Sequence, residues 1–238
     1  VKVGSNSLRD QFIQSFVAEG RWKLYLNGLR TSIILTIFAL ILGLILGVAV
    51  AVVRTQYLQK RGKKGFGLSV LNGICQVYVT VIRGTPMMVQ LLIWGFVVFA
   101  ASRNLLGIAI IALGINSGAY VSEIIRSGIL SVDIGQMEAG RSLGMSYGNV
   151  MKDIIIPQAV KNILPALGNE FITLFKDTSL VTVIGLMDLT KVAMTIQAKT
   201  YQALMPFVGI ALMYLVIVMI LTWLLGRLER RLRRSERR

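Results

Sequence analysis

Apolar residues in this chain come in blocks longer than a soluble helix needs, and the polar residues collect between them. The clearest block, Ile33 to Val53, carries no charge and is long enough to cross the ~30 Å of bilayer hydrocarbon as a helix. Within it Gly43 and Gly47 stand at GxxxG spacing, which lets another helix approach closely, inside the subunit or at a dimer seam. The stretch from Phe66 to Ile82 is apolar but interrupted by glycines and polar residues, and reads as a helix at the interface or entering the membrane obliquely. In Arg83-Gly84-Thr85-Pro86, Thr85 suits a helix N-cap and Pro86 the first helical position. A second span is therefore predicted from Pro86 to about Ala101. A polar break, Ser102 to Asn104, precedes a third span from Leu105 to about Ile125. The amphipathic section Arg126 to Pro157 is too polar to cross lipid and belongs in water or against a partner. A fourth span runs from near Val160 toward Phe175, a mixed stretch from Lys176 to Tyr201 suits a loop and a short helix, and Pro206 to Leu225 forms the last span. The pattern predicts an all-α integral membrane protein with about five transmembrane helices in a single domain, residues 1–238, with a membrane core over about 27–228.

Composition agrees. Of 238 residues 55% are hydrophobic and only 16% charged, yet the formal net charge is +15, and the mean hydropathy is +0.69. Apolar bulk with a basic remainder fits helices in lipid with Lys and Arg at their ends. A nucleic-acid binder could be as basic, but it would not carry such long uncharged runs, so no nucleic acid is expected. The basic residues lie in a loop after the first span (Arg54, Lys60, Arg61, Lys63, Lys64), in the long polar section, and in the tail, 227–238, with Arg227, Arg230, Arg231, Arg233, Arg234, Arg237 and Arg238. With about five spans these fall on one side, and the positive-inside rule makes that side the cytoplasm and puts the N-terminus outside. Lys23 and Arg30 weaken the asymmetry without reversing it. The tail suits anchorage to anionic membrane lipid. Val1 to Gly20 has no apolar core of a cleavable signal peptide; the missing initiator Met leaves trimming and a cut edge open alike.

Candidate chemistry is sparse. There is no histidine, and the one cysteine, Cys75, lies in an apolar stretch, which argues against the usual zinc and Ser-His catalytic sites and excludes an intrachain disulfide. No metal site and no cofactor are expected in this chain. No G-x-x-x-x-G-K-[ST] phosphate loop is present, so ATP and Mg, if they power transport, sit on a separate ATPase. Polar residues at depth are more telling. Glu170 and Asn116 each lie about ten residues into a span, roughly 15 Å, near the midplane. An ionisable group there is costly unless paired or facing a watery cavity, and so is a functional candidate. They are expected to line the passage and contact an amino acid: Glu170 its ammonium or a cationic side chain, Asn116 through its amide. Asn169 and Thr173 share a helical face at i, i+4 and could complete the site. A structural Glu170, bonded to hydroxyls or a basic residue, is the plainer alternative. Glu123 and Arg126, at i, i+3, are expected to pair.

The polar section holds the most specific signal: Glu138-Ala139-Gly140, then Gly144, then Ile154-Ile155-Ile156-Pro157. Its spacing resembles the cytoplasmic EAA loop of ABC importer permeases, with Gly140 in place of the second Ala and Ile156 in place of Leu. Arg83-Gly84-Thr85-Pro86 with Val89-Gln90-Leu91, Asn116-Ser117-Gly118-Ala119-Tyr120, Ile155-Ile156-Pro157-Gln158-Ala159 and Leu164 to Phe171 look like the polar amino-acid subfamily. The likeness spans about Tyr25 to Arg231. It implies the type I permease fold in a bacterial inner membrane, a permease dimer (homo- or heterodimer), two ATP-binding cassette ATPase subunits, and an extracytoplasmic substrate-binding protein. It also implies a coupling loop, 130–157, in which Glu138, Ala139, Gly140, Arg141 and Gly144 seat in the ATPase. The expected cargo is a basic or polar neutral amino acid (arginine, lysine, histidine or glutamine), since Glu170 would repel acidic ones. The chain itself is not expected to be an enzyme. A secondary carrier using Glu170 as a coupling-ion site is the competing reading, though it has no need of such a loop. A membrane-embedded enzyme has little support.

Overall fold

The computed structural model describes residues 7–59 and 65–234. The basic loop residues Lys60, Arg61, Lys63 and Lys64 and the tail beyond residue 234 lie outside the described residues. The helices are α1 (Leu8–Phe12), α2 (Trp22–Gln59), α3 (Phe66–Gly84), α4 (Met87–Ile93, continued by a π turn over Trp94–Val98), α5 (Leu105–Leu130), α6 (Ile134–Ser142), α7 (Tyr147–Val150), α8 (Ile156–Asp177), α9 (Leu189–Thr200) and α10 (Leu204–Arg234). Among the described residues four helices are long and apolar enough to span a membrane: Trp22–Gln59, Phe66–Gly84, Leu105–Leu130 and Leu204–Leu232. The pair Tyr147–Ile184 and Leu189–Thr200, bent by 48°, supplies a fifth span.

The segment predicted as a second span needs correction. Met87–Val98 is too short to cross alone, and Phe66–Gly84, read as an interfacial or oblique helix, has the length of a span. Contacts along α5 explain the arrangement. Arg83 lies over Tyr120, Gln90 bonds Asn116, and Leu91 and Trp94 pack with Ile108 and Leu113. The end of α3 therefore meets α5 about halfway along, and α4 continues antiparallel to α5 toward its Leu105 end. The two helices are separated by the break at Gly84–Pro86, and of the two only Phe66–Gly84 has the length of a span.

α2 lies along α5 and runs parallel to it. Gly43 faces Ser117 and Gly47 faces Val121, so the GxxxG pair serves packing inside the subunit. A Cβ at Gly43 would sit 2.9 Å from Ser117 Oγ, and one at Gly47 2.7 Å from Val121 Cβ. Near the Leu105 end, a core of Leu35, Ala39, Leu91, Ile108, Ala112, Leu113, Leu174 and Val181 joins α2, α4, α5 and α8. A second core sets Tyr25 against Leu189, Val192, Ala193, Ile196 and Ile210. There Asp188 caps α9, its carboxylate accepting from the Thr190 and Lys191 N–H groups at 3.0 and 2.9 Å. Because both helices are fixed by core contacts, Gly47→Val cannot be absorbed by sliding. It should destabilise the protein by about 1–3 kcal/mol, seen as a lower melting temperature in detergent, whereas Ile45→Val on the exposed face should leave the melt unchanged.

Candidate functional site

The α3–α4 break leaves backbone groups without helical partners, and each orphaned group is expensive where lipid takes the place of water. Gln90, which is buried, solves this locally. Its Nε2 donates to the Ile82 carbonyl at 2.8 Å, the Thr85 carbonyl at 3.2 Å and Thr85 Oγ1 at 2.8 Å. That fixes the amide's orientation, leaving Oε1 to accept from Asn116 Nδ2 at 3.0 Å. Thr85 is not the N-cap its sequence position suggested. It and Pro86 are both extended, because a residue before proline is pushed out of the helical region. The Thr85 hydroxyl instead donates back to the Val81 carbonyl at 2.9 Å.

One position along α5 the partner changes. Ser117 Oγ donates to Glu170 Oε1 at 2.7 Å, tying α5 to α8. Among the described residues Glu170 forms no ion pair, so one hydroxyl is the only recorded partner of its half-buried carboxylate. Asn116 and Glu170 thus flank α5 on adjoining sides without bonding each other. Asn169 and Thr173 share the exposed side of α8, as their spacing predicted, together with exposed Asn162 and Lys176. Gln90 and Ser117 were not singled out from sequence, although both stand in the quoted motifs. Their signal was adjacency to Pro86 and Asn116.

Toward the Leu130 end, Glu123 collects arginines. The expected pair with Arg126 forms, through Nε at 3.1 Å and Nη2 at 2.7 Å. Arg54 of α2 bonds the other oxygen, and Arg83 stands 4.0 Å away. No sequence spacing links Arg54 or Arg83 to Glu123, so only the fold could reveal this cluster.

The polar section forms a helical hairpin. Asp133 caps α6 through Gly135 N–H at 2.6 Å. The helix ends in a Schellman turn, with Met145 N donating to Gly140 O and Gly144 N to Arg141 O, both at 3.1 Å. Gly144 takes φ +79° there, a conformation glycine adopts freely. Arg141 Nη1 adds a bond to Met145 O at 2.9 Å. Gly140 is buried against α7, and a Cβ there would lie 2.8 Å from Val150 Cγ2; glycine in place of alanine lets α6 sit closer. Glu138, Ala139 and Arg141 are exposed, as are Ile134 and, at 83%, Leu143. A cleft of about 660 Å³ opens between this hairpin and the ends of α2 and α5, lined by Leu58, Gln59, Leu130, Met137, Glu138 and Tyr147 among others.

A helical bundle of about five spans with a helical hairpin between two of them is the architecture of an ABC importer's membrane subunit. Over residues 66–234 the sequence matches the family described as the binding-protein-dependent transport system inner membrane component, and the chain belongs to that family. It is 40% identical over 218 residues to the arginine transport system permease protein ArtQ of Bacillus subtilis (strain 168), covering 89% of this chain and 93% of that one. With the glutamine transport system permease protein GlnP of Escherichia coli (strain K12) it shares 36% identity over 214 residues, 88% of this chain and 93% of the other. A solved amino acid ABC transporter crystallised with histidines superposes with a TM-score of 0.80 at 42% identity, covering 88% of this chain and 94% of that chain. The MetNI methionine ABC transporter, at 18% identity and a TM-score of 0.76 over 91% of this chain and 99% of that chain, shares the fold. The chain is a transport permease and not an enzyme, and nothing in these relationships supports a secondary carrier.

Gln90→Leu would strand the Asn116 amide and the carbonyls at the break. The expected cost is about 1–3 kcal/mol, measured as a fall in detergent melting temperature, while Gln158→Leu on the exposed start of α8 should cost little.

Proposed function

We propose that this chain forms the translocation path of an ATP-driven importer for basic or polar neutral amino acids, in a bacterial cytoplasmic membrane with the N-terminus outside and the C-terminus inside. The observation that carries the cargo reading is Glu170: a carboxylate within a spanning helix, hydrogen-bonded to Ser117 and lacking an ion pair among the described residues. A half-buried carboxylate without a cation invites one as a guest. Glu170 would hold an ammonium or a cationic side chain, Asn116 would add its amide, and Asn169 and Thr173 would continue the polar wall. The arginine and glutamine permeases among its relatives carry cargo of this class. Arginine, lysine, histidine and glutamine all fit, and acidic amino acids do not.

The exposed polar stripe on α8, Asn162, Asn169, Thr173 and Lys176, supports a dimer. Lipid is a poor neighbour for such side chains, and a second permease subunit, identical or related, would enclose them in a watery path. Energy enters through residues 130–157. The rigid α6–α7 hairpin exposes Ile134, Leu143 and Tyr147 as apolar anchors for an ATPase subunit that binds ATP and Mg, with Glu138, Ala139, Gly140, Arg141 and Gly144 shaping the contact. A substrate-binding protein would deliver cargo from outside.

The test is ATPase activity of the chain co-purified with its ATPase, with binding protein and each common amino acid in turn. Stimulation by arginine, lysine, histidine or glutamine is the expected result; no co-purifying ATPase, or stimulation only by acidic amino acids, would overturn the reading. Glu170→Gln should weaken stimulation by a cationic amino acid about tenfold or more, measured as the half-saturating concentration. Leu143→Asp should reduce ATPase co-purification while leaving the permease folded.

A further inference from the structure

Two elements flank α5 on neighbouring faces near Asn116 and Tyr120, which stand one turn apart; Asn116 is buried and Tyr120 is 37% exposed. One is α8, which approaches at Ser117 with Glu170; the other is the α3–α4 break, which approaches at Asn116 with Gln90. Arg83 sits on that second element. Its guanidinium lies over the Tyr120 ring, 5.1 Å from the centroid, and its side chain is 43% exposed.

The charge of Arg83 is only loosely engaged within the protein. Its nearest carboxylate, Glu123, is already engaged by Arg54 and by two nitrogens of Arg126. Arg83 stands 4.0 Å from it, outside hydrogen-bond range. The described residues offer the Arg83 fork no hydrogen bond. Three guanidiniums therefore share one carboxylate, and Arg83, over the exposed Tyr120 ring, is the loosest of them.

We propose that Arg83 receives the α-carboxylate of the transported amino acid. This rests on the midplane cargo site proposed above and completes it. Glu170 supplies a negative wall for the ammonium or cationic side chain, and that set holds no cation for the opposite end of a zwitterion. Arg83 supplies a planar fork that matches a carboxylate in bidentate fashion, held flat by Tyr120. Glu123 keeps a second role: with Arg54 and Arg126 it positions the cluster, and its loose hold on Arg83 leaves that residue free to turn toward cargo. The consequence is a chemical filter. An amino acid is bound at both ends, and the amine formed by removing its carboxylate is bound at one.

The experiment is equilibrium binding of arginine and of agmatine, its decarboxylated counterpart, to the detergent-purified permease–ATPase complex without binding protein. If glutamine is the stimulating amino acid, glutamine and 4-aminobutanamide take their places. The wild-type complex should prefer the amino acid by about tenfold or more. Arg83→Gln should remove most of that preference by weakening the amino acid and sparing the amine. Arg83→Lys, which keeps the charge without the fork, should fall between. Glu170→Gln should weaken arginine and agmatine together, which separates the two readings. An unchanged preference in Arg83→Gln overturns the proposal, as does an equal loss of both ligands, the mark of a merely structural role. If Arg83→Gln does not assemble, Arg83→Lys decides: a reduced preference supports the proposal and an unchanged one overturns it. Failure of the wild type to bind any common amino acid overturns the midplane site and this inference with it.

Discussion

The hydrogen bonds of Gln90 are what the rest of the subunit depends on. A transport path through lipid needs polar groups and irregular backbone at depth, and lipid tolerates neither unless the protein satisfies them. By bonding Ile82, Thr85 and Asn116 at once, one amide ties the end of α3 and the start of α4 to α5 across the break at Gly84–Pro86. The Arg83 side chain, just before the break, lies over Tyr120.

Around this site the scaffold is stiff. Gly43 and Gly47 bring α2 onto α5, and Ser117 links α5 to α8. A carboxylate at the centre of a flexible bundle could draw in water or a stray side chain; here the neighbours are fixed, so Glu170 keeps a defined surrounding. The arginines around Glu123 do the same for the three elements that meet there.

Much of this was legible in the chain. Apolar blocks marked most of the spans, though not the one over Phe66–Gly84, and the spacing from Glu138 through Gly144 to Pro157 marked the hairpin. Depth along a helix singled out Glu170 and Asn116, and i, i+4 spacing put Asn169 and Thr173 on one exposed side. What the sequence could not show depended on contacts between distant positions. The break at Pro86 read as the start of a span because a proline signals entry to a long helix and to a short one in the same way. The sequence also concealed the arginines converging on Glu123, since Arg54 and Arg83 are near it only once α2 and α3 are packed. Gln90 looked like one more polar residue in an apolar helix until its four bonds were seen.

The Schellman turn at Gly144 fixes α6 to the start of a helical run that continues from Tyr147 to Ile184. At about 1.5 Å per residue that run is roughly 57 Å long, and it carries Glu170 about two-thirds of the way from the hairpin. The hairpin and Glu170 thus lie on one continuous helical run. A tilt of a few degrees at the hairpin becomes a displacement of several ångströms at the far end of that run.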